Sequence, residues 1–377
     1  MNASSPRGPE AGGMYTPATG SWEFQLNQEH LDRIGRLQAA MRKADVDAVF
    51  LYSPINRHYF TGLTTSNGLL LVEQQGTPAF YTDFRYLEVA HRVLTGLNIR
   101  KFKAAKEQLA DYAALAKNWK TIGYEGNLTV AQFLPLQEAM AHAKWSSITA
   151  MVSTPRGVKS ASELDAIRRS AAANDALFAE LMKVFKPGMS ELEMLRQFRI
   201  REATLGLTES FDPILCAGVN AVECHHQPDE TVLQPESELL IDMGVLVDHY
   251  CSDMTRTVYF GTPTARFREI HNIVLEANRA VIAAVKPGLR CCDIDQVARD
   301  IISKYGYGDY FDHGLGHSVG LEIHEMPSFG KTCETILEPG MVLTDEPGIY
   351  IPGDVGVRIE DLLVVTETGC EVLSRRS

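Results

Sequence analysis

Between Trp22 and Trp145, short apolar runs (DAVFLY, GLLLVE, AFYTD, KTIGYE) alternate with stretches such as HLDRIGRLQAAMRKA, whose apolar residues recur at helical spacing. Runs of that length predict buried strands and the periodic stretches predict crossover helices, so 22–150 is expected to be a smaller α/β domain. Residues 1–21, rich in Gly, Pro and Ser without an apolar core, are expected to be a flexible tail and not a signal peptide. A second Pro-, Gly- and Ser-containing stretch, MVSTPRGVKSAS at 151–162, predicts a linker. Ser162 and Glu163 are then expected to open a long helix through Lys183.

The remaining chain, 163–377, repeats itself. Lys186-Pro187-Gly188-Met189 returns as Lys286-Pro287-Gly288-Leu289, each between amphipathic stretches. VLQPESELLIDMG at 232–244 parallels ILEPGMVLTDEPG at 336–348, an offset of 104 residues. A duplicated unit of helices followed by a hairpin predicts one closed α+β domain with an internal pseudo-two-fold, since two copies are too few for a solenoid.

Composition narrows the classes. The 377 residues carry 48 acidic and 36 basic side chains, a formal charge of −12. That balance argues against a nucleic-acid partner, which needs a basic stripe, and no run approaches the ~20 apolar residues that span a bilayer. The expected location is the cytoplasm. Seven cysteines, all from Cys216 onward and without CxxC spacing, suit free thiols better than a disulfide framework or a Cys-zinc site. Seven of the 11 histidines, by contrast, fall between His225 and His324.

Candidate chemistry lies in carboxylates that interrupt apolar strands. Asp242 sits within ELLIDMGVLV, where an ionised side chain without a partner would cost several kcal/mol. A turn centred between Val247 and Asp248 would set Asp242 opposite Asp253, with Cβ atoms ~5 Å apart. Likewise, a turn centred on Gly353 in Pro352-Gly353-Asp354 would set Glu346 opposite Glu360. An ion pair with Arg256 or Arg358 explains one such carboxylate; two related pairs, carrying −4 together, match two divalent cations better. His313 and His317 are four apart, but Gly314 and Gly316 disfavour a helix and no HExxH is present, so a zincin is excluded. One imidazole with carboxylates suits manganese or cobalt.

Asp242, Asp253, His317, Glu346 and Glu360, within the motifs DMTRT, GLGHSVGLEIHE, TDEPGIYI and GVRIED, resemble the ligand set of the pita-bread metallopeptidases, the group of methionine aminopeptidase, aminopeptidase P and prolidase. The resemblance covers 155–377. YSPINRHYFTG in the first domain is similar to the extra domain of the aminopeptidase P, prolidase and creatinase branch.

The resemblance implies hydrolysis of Xaa-Pro bonds by a hydroxide bridging two divalent ions per subunit, with manganese expected and cobalt or zinc as alternatives. It makes Asp242, Asp253, His317, Glu346 and Glu360 the metal ligands, with Glu346 also relaying a proton. His225 would stand near the leaving group and His324 at the scissile carbonyl. His313, Tyr350 and Arg358 would surround the substrate, a small peptide with proline second, in at least a homodimer. Two positions depart from the pattern. Cys224-His225-His226 replaces the common Pro-His, which makes His226 a competitor of His225. HEMP replaces the HEEP common in prolidases, which leaves both dipeptidase and aminopeptidase open. A creatinase-like C–N hydrolase and a non-catalytic peptide-binding protein are the alternatives on the same fold, and the intact ligand set argues against each.

Overall fold

The computed structural model describes residues 26–374, and the chain divides into two compact units between Val152 and Ser153. The tail expected at 1–21 and the domain start at Trp22 lie outside the described residues.

In the first unit the apolar runs become the strands Ala48–Leu51, Gly68–Glu73, Ala79–Thr82 and Thr121–Tyr124 of a six-stranded mixed sheet. Every residue of Ala48–Leu51 is buried, which is why this central strand reads as an unbroken apolar run. Two further strands, Asn98–Lys101 and Lys144–Ser147, close the two edges and are largely polar. An edge strand needs no apolar run, so neither is legible in the sequence. The helix Gln28–Lys43 falls on the periodic stretch, and Asn27 caps it by accepting from the His30 amide.

The segment 151–162 departs from the expected linker. It is helical from Thr149 to Gly157, and Val158 then pairs with Met341. Val152, Arg156 and Lys159 are buried, so packing overrides the breaker residues. The long helix runs from Ala161 to Leu181, starting earlier and ending sooner than expected. Its N-cap is Ser160, which forms a capping box with Glu163 three positions on, leaving Ser162 inside the first turn.

The duplication in the second unit is structural. The helices Ala161–Leu181 and Glu191–Thr204 precede the strands Ser237–Met243 and Met254–Phe260. The helices Ala265–Ala284 and Cys291–Lys304 precede Val342–Asp345 and Asp361–Val365. Each helix pair turns on the glycine of its Lys-Pro-Gly motif, with φ of 93° at Gly188 and 87° at Gly288. Only glycine adopts that backbone freely. The Gly188 amide donates to the Leu233 carbonyl and the Gly288 amide to that of Leu337, both at 2.9 Å. Those carbonyls are 104 residues apart, the offset of the strand repeat. Each half also has its own core, with Leu177, Leu181, Met194 and Leu239 in one and Ala277, Val281, Ile294 and Leu343 at the matching places in the other.

The two hairpins that carry the carboxylates differ in how well their register is foreseen. In the second, Asp345 pairs with Asp361 and Gly348 with Arg358, so Glu346 and Glu360 face each other as expected about Gly353. In the first, Asp242 pairs with Thr255, not Asp253. Val247 pairs with Tyr250, which makes Asp248 and His249 the two-residue loop, and both have positive φ, 50° and 70°. This is the backbone of a tight hairpin turn that usually carries Asn-Gly or Asp-Gly. Asp-His gives no such signal, so the centre lies one residue later than expected. Asp253 thereby becomes the diagonal neighbour of Asp242, still on the same face of the sheet.

Candidate metal centre

Asp242, Asp253, His313, His317, His324, Glu346, Arg358 and Glu360 line one cavity of about 420 Å³ in the second unit, with His225 among them. Period-two placement explains the convergence. Asp242 lies near the end of one strand, Asp253 just before its partner, Glu346 just after Val342–Asp345, and Glu360 just before Asp361–Val365. Each half thus delivers two carboxylates to one face. His317 is the middle residue of the strand Gly316–Ser318, consistent with the glycines that disfavour a helix there. An added Cβ on Gly316 would run into the carbonyl oxygen of Thr344, so glycine lets this strand approach its neighbour.

The ligand atoms are close. Donor atoms of Asp253, His317 and Glu360 lie within 4.8 Å of one another. His317 Nε2 is 3.6 Å from Asp253 Oδ2 and 3.6 Å from Glu346 Oε1. Burial holds the Asp253 and Glu360 carboxyls well above the usual carboxylate range, and the neighbouring carboxylates add to the effect. Glu346 is pushed up to about 8 by burial and by Asp242, against the opposing pull of Arg358. His317 is drawn down to about 4, chiefly by burial and then by His324. Asp242 Oδ1 is buried and has no hydrogen-bond partner among the described residues. Carboxylates that repel one another, an orphaned carboxylate oxygen and a neutral imidazole together form a donor set that a hard divalent cation would satisfy.

Both proposed arginine partners are engaged. Arg358 Nη2 donates to Asp242 Oδ2 at 2.7 Å, so the ion-pair and carboxylate-cluster readings of Asp242 hold together. Arg256 pairs instead with Asp361 at 2.8 Å. Arg358 Nη1 also donates to the Tyr350 hydroxyl at 3.0 Å, and that hydroxyl lies 2.9 Å from His313 Nε2. His313, Tyr350, Arg358 and Asp242 therefore form one connected chain. Tyr350 is buried and does not line the cavity itself, but it touches His313 and Arg358, which do.

The two adjacent histidines part company. His225 is exposed and lines the cavity. His226 is buried, with Nε2 2.8 Å from Glu191 and Nδ1 2.8 Å from Glu223. Glu191 also accepts from the amides of Ala217 and Asp229, so His226 belongs to the clamp that shapes this loop.

Two threonines complete the site without having been foreseen. Thr255 Oγ1 donates to Glu360 Oε2 at 2.6 Å. Thr344 Oγ1 lies 3.2 Å from Glu346 Oε1 and accepts from the His317 amide at 3.0 Å. Each stands two positions from a carboxylate along its strand, the same-face spacing that could have marked it.

This is the architecture of a hydrolytic metal centre in a duplicated α+β domain. Residues 165–367 match metallopeptidase family M24 and residues 33–158 match the creatinase/prolidase N-terminal domain. The chain belongs to metallopeptidase family M24, with the pita-bread fold in its second unit. A solved Xaa-Pro dipeptidase from Bacillus anthracis is 35% identical, with a TM-score of 0.88 over 92% of this chain and 98% of that one. An Xaa-Pro dipeptidase of Pyrococcus furiosus is 34% identical over 91% of this chain and 98% of its own length. A solved X-Pro aminopeptidase from Thermotoga maritima is 29% identical, with a TM-score of 0.82 over 90% of this chain and 98% of that one.

Proposed function

We propose that the protein hydrolyses the peptide bond before proline, in Xaa-Pro dipeptides or at the N-terminus of longer peptides. The observation that carries this reading is the convergence of Asp242, Asp253, His317, Glu346 and Glu360 in one cavity with His313 and Arg358. Relatives named for Xaa-Pro hydrolysis support the substrate class. Asp242, Asp253, His317, Glu346 and Glu360 would hold two divalent cations per subunit, manganese in the first instance and cobalt or zinc otherwise. When bound, the cations would supply hydroxide from water near neutral pH and polarise the scissile carbonyl.

The chain's own groups do the remaining work. Glu346, steadied by Thr344, takes the proton of the attacking water and passes it toward the leaving nitrogen. His324, with its ring 4.3 Å from that of His317, donates to the carbonyl oxygen as negative charge builds there. His225 serves the leaving-group side. His313 and Arg358, tied through Tyr350, form a polar wall that orients the peptide. Phe211, Ile214 and Ile323 line the same cavity and suit the pyrrolidine ring, which has no N–H to grip once it is in peptide linkage.

The domain division near 151–162, a homodimer and a cytoplasmic setting belong to the same reading. All seven cysteines are free, which suits a reducing compartment. No helix among the described residues is long and apolar enough to cross a membrane.

The test is proline release from Ala-Pro beside alanine release from Ala-Pro-Ala, after chelation and after manganese add-back. Restored cleavage of either establishes the Xaa-Pro activity, and the peptide cleaved tells dipeptidase from aminopeptidase. Inactivity on both, with manganese bound, would overturn the substrate assignment.

A further inference from the structure

The stretch whose composition reads as a linker buries two cations beside the metal centre. Lys159 Nζ, on a side chain only 1% exposed, donates to Ser318 Oγ at 2.8 Å and to Glu325 Oε2 at 3.3 Å. Arg156 donates to the other oxygen of Glu325 and to Glu322 Oε2, the latter at 2.7 Å. The Glu325 side chain is itself 4% exposed, and these two residues supply the positive charges paired with it.

The placement of the two acceptors is what matters. Ser318 directly follows His317, and Glu325 directly follows His324. Ser318 and Glu325 are also cross-strand partners, at the step where the register shifts between His317 and Ser318. Such an irregularity re-aims the neighbouring side chains, and something must hold it. Lys159 is well anchored to do so, because its amide donates to the Gly340 carbonyl at 2.9 Å and Val158 pairs with Met341. One ammonium thus grips both strands, one residue away from each of two histidines whose rings are 4.3 Å apart.

We infer that Lys159, supported by Arg156, is a positioning residue that sets the His317–His324 pair for metal binding and for contact with the scissile carbonyl. The inference rests on the proposed peptidase site. Lys159 and Arg156 lie outside the cavity lining and some 160 positions upstream of the histidines.

The experiment compares wild-type full-length protein with Lys159→Met and Ser318→Ala. It measures manganese affinity by calorimetry, kcat and KM on Ala-Pro or Ala-Pro-Ala, and histidine ring nitrogen shifts by NMR on metal-free protein. Partners that orient metal ligands typically matter by about 10- to 100-fold. Lys159→Met is therefore expected to weaken manganese binding and lower kcat by that order, with KM changed far less. The ring signals of His317 and His324 should move, and those of His91 and His142 should stay. Ser318→Ala, which leaves the Lys159–Glu325 ion pair in place, should show a smaller change in the same direction and guards against a Lys159 variant that does not fold. A lower melting temperature with unchanged manganese affinity, kcat and ring signals would overturn the inference. Wild-type protein inactive on both peptides, with the ring signals still moved by the variants, would overturn the peptidase reading and leave the positioning role standing.

Discussion

Thr255 donates a 2.6 Å hydrogen bond to Glu360, although the two residues belong to different halves of the duplication. Thr255 also faces Asp242 across its own strand pair, and its hydroxyl accepts at 3.0 Å from Nε of Arg358, the guanidinium that donates to Asp242, so the carboxylates of both hairpins are joined through Thr255 and Arg358. Thr255→Val keeps the shape and removes the bond. We expect about 10- to 100-fold weaker manganese binding by calorimetry, with little change in fold by circular dichroism.

The raised carboxyls set a pH dependence whose sign is fixed. Glu346 moves from an ordinary 4.5 to about 8 in the metal-free protein, so between those values the folded state holds a proton that the unfolded state has lost. Stability of metal-free protein should therefore fall as pH rises from about 6.5 to 8, above the range in which His317, drawn down to about 4, pulls the other way. Manganese competes with that proton, so its affinity should rise over the same window and level off above it. Melting curves with and without manganese from pH 5 to 9 check both directions.

His225 and His226 should separate function from stability. His225→Ala is expected to lower kcat by about 10²- to 10⁴-fold with a near-unchanged melting temperature, as for a proton-transferring side chain at a cavity rim. His226→Ala removes one of several donors to buried Glu191, which keeps the Ala217 and Asp229 amides, and should destabilise the fold by about 1–3 kcal/mol in chemical denaturation. The reverse pattern would exchange their roles.

Gly316→Ala places a methyl against the Thr344 carbonyl, a backbone atom that cannot rotate away. A loss of about 1–3 kcal/mol is expected. Because His317 is the next residue, manganese binding should weaken as well, which calorimetry on the folded variant would show.

Much of this molecule is legible in its amino-acid order. Apolar runs locate the buried strands of the first unit, and the repeated Lys-Pro-Gly motifs and strand segments locate the duplication, because burial and positive φ each restrict residue type. The Glu346–Glu360 pairing is readable as well, since Pro352-Gly353-Asp354 marks its turn unmistakably. The edge strands escape because an exposed edge demands no apolar pattern. The Asp242–Thr255 register escapes because the left-handed turn residues are Asp248 and His249 in place of the usual glycine, with Asp248 paired to the distant Arg169.

By itself, the sequence pointed to the carboxylates and to the two-fold plan that brings them together, because periodicity and turn chemistry are local, and to the individual imidazoles through its resemblance to the pita-bread metallopeptidases. Only the tertiary structure decided that Asp253 sits diagonal to Asp242, that His225 and not His226 faces the cavity, and that Lys159 and Arg156 are buried against Ser318 and Glu325. Those outcomes depend on distant segments meeting, where the cost of an unpaired buried charge or hydroxyl selects the partner, and no spacing along the chain records that cost.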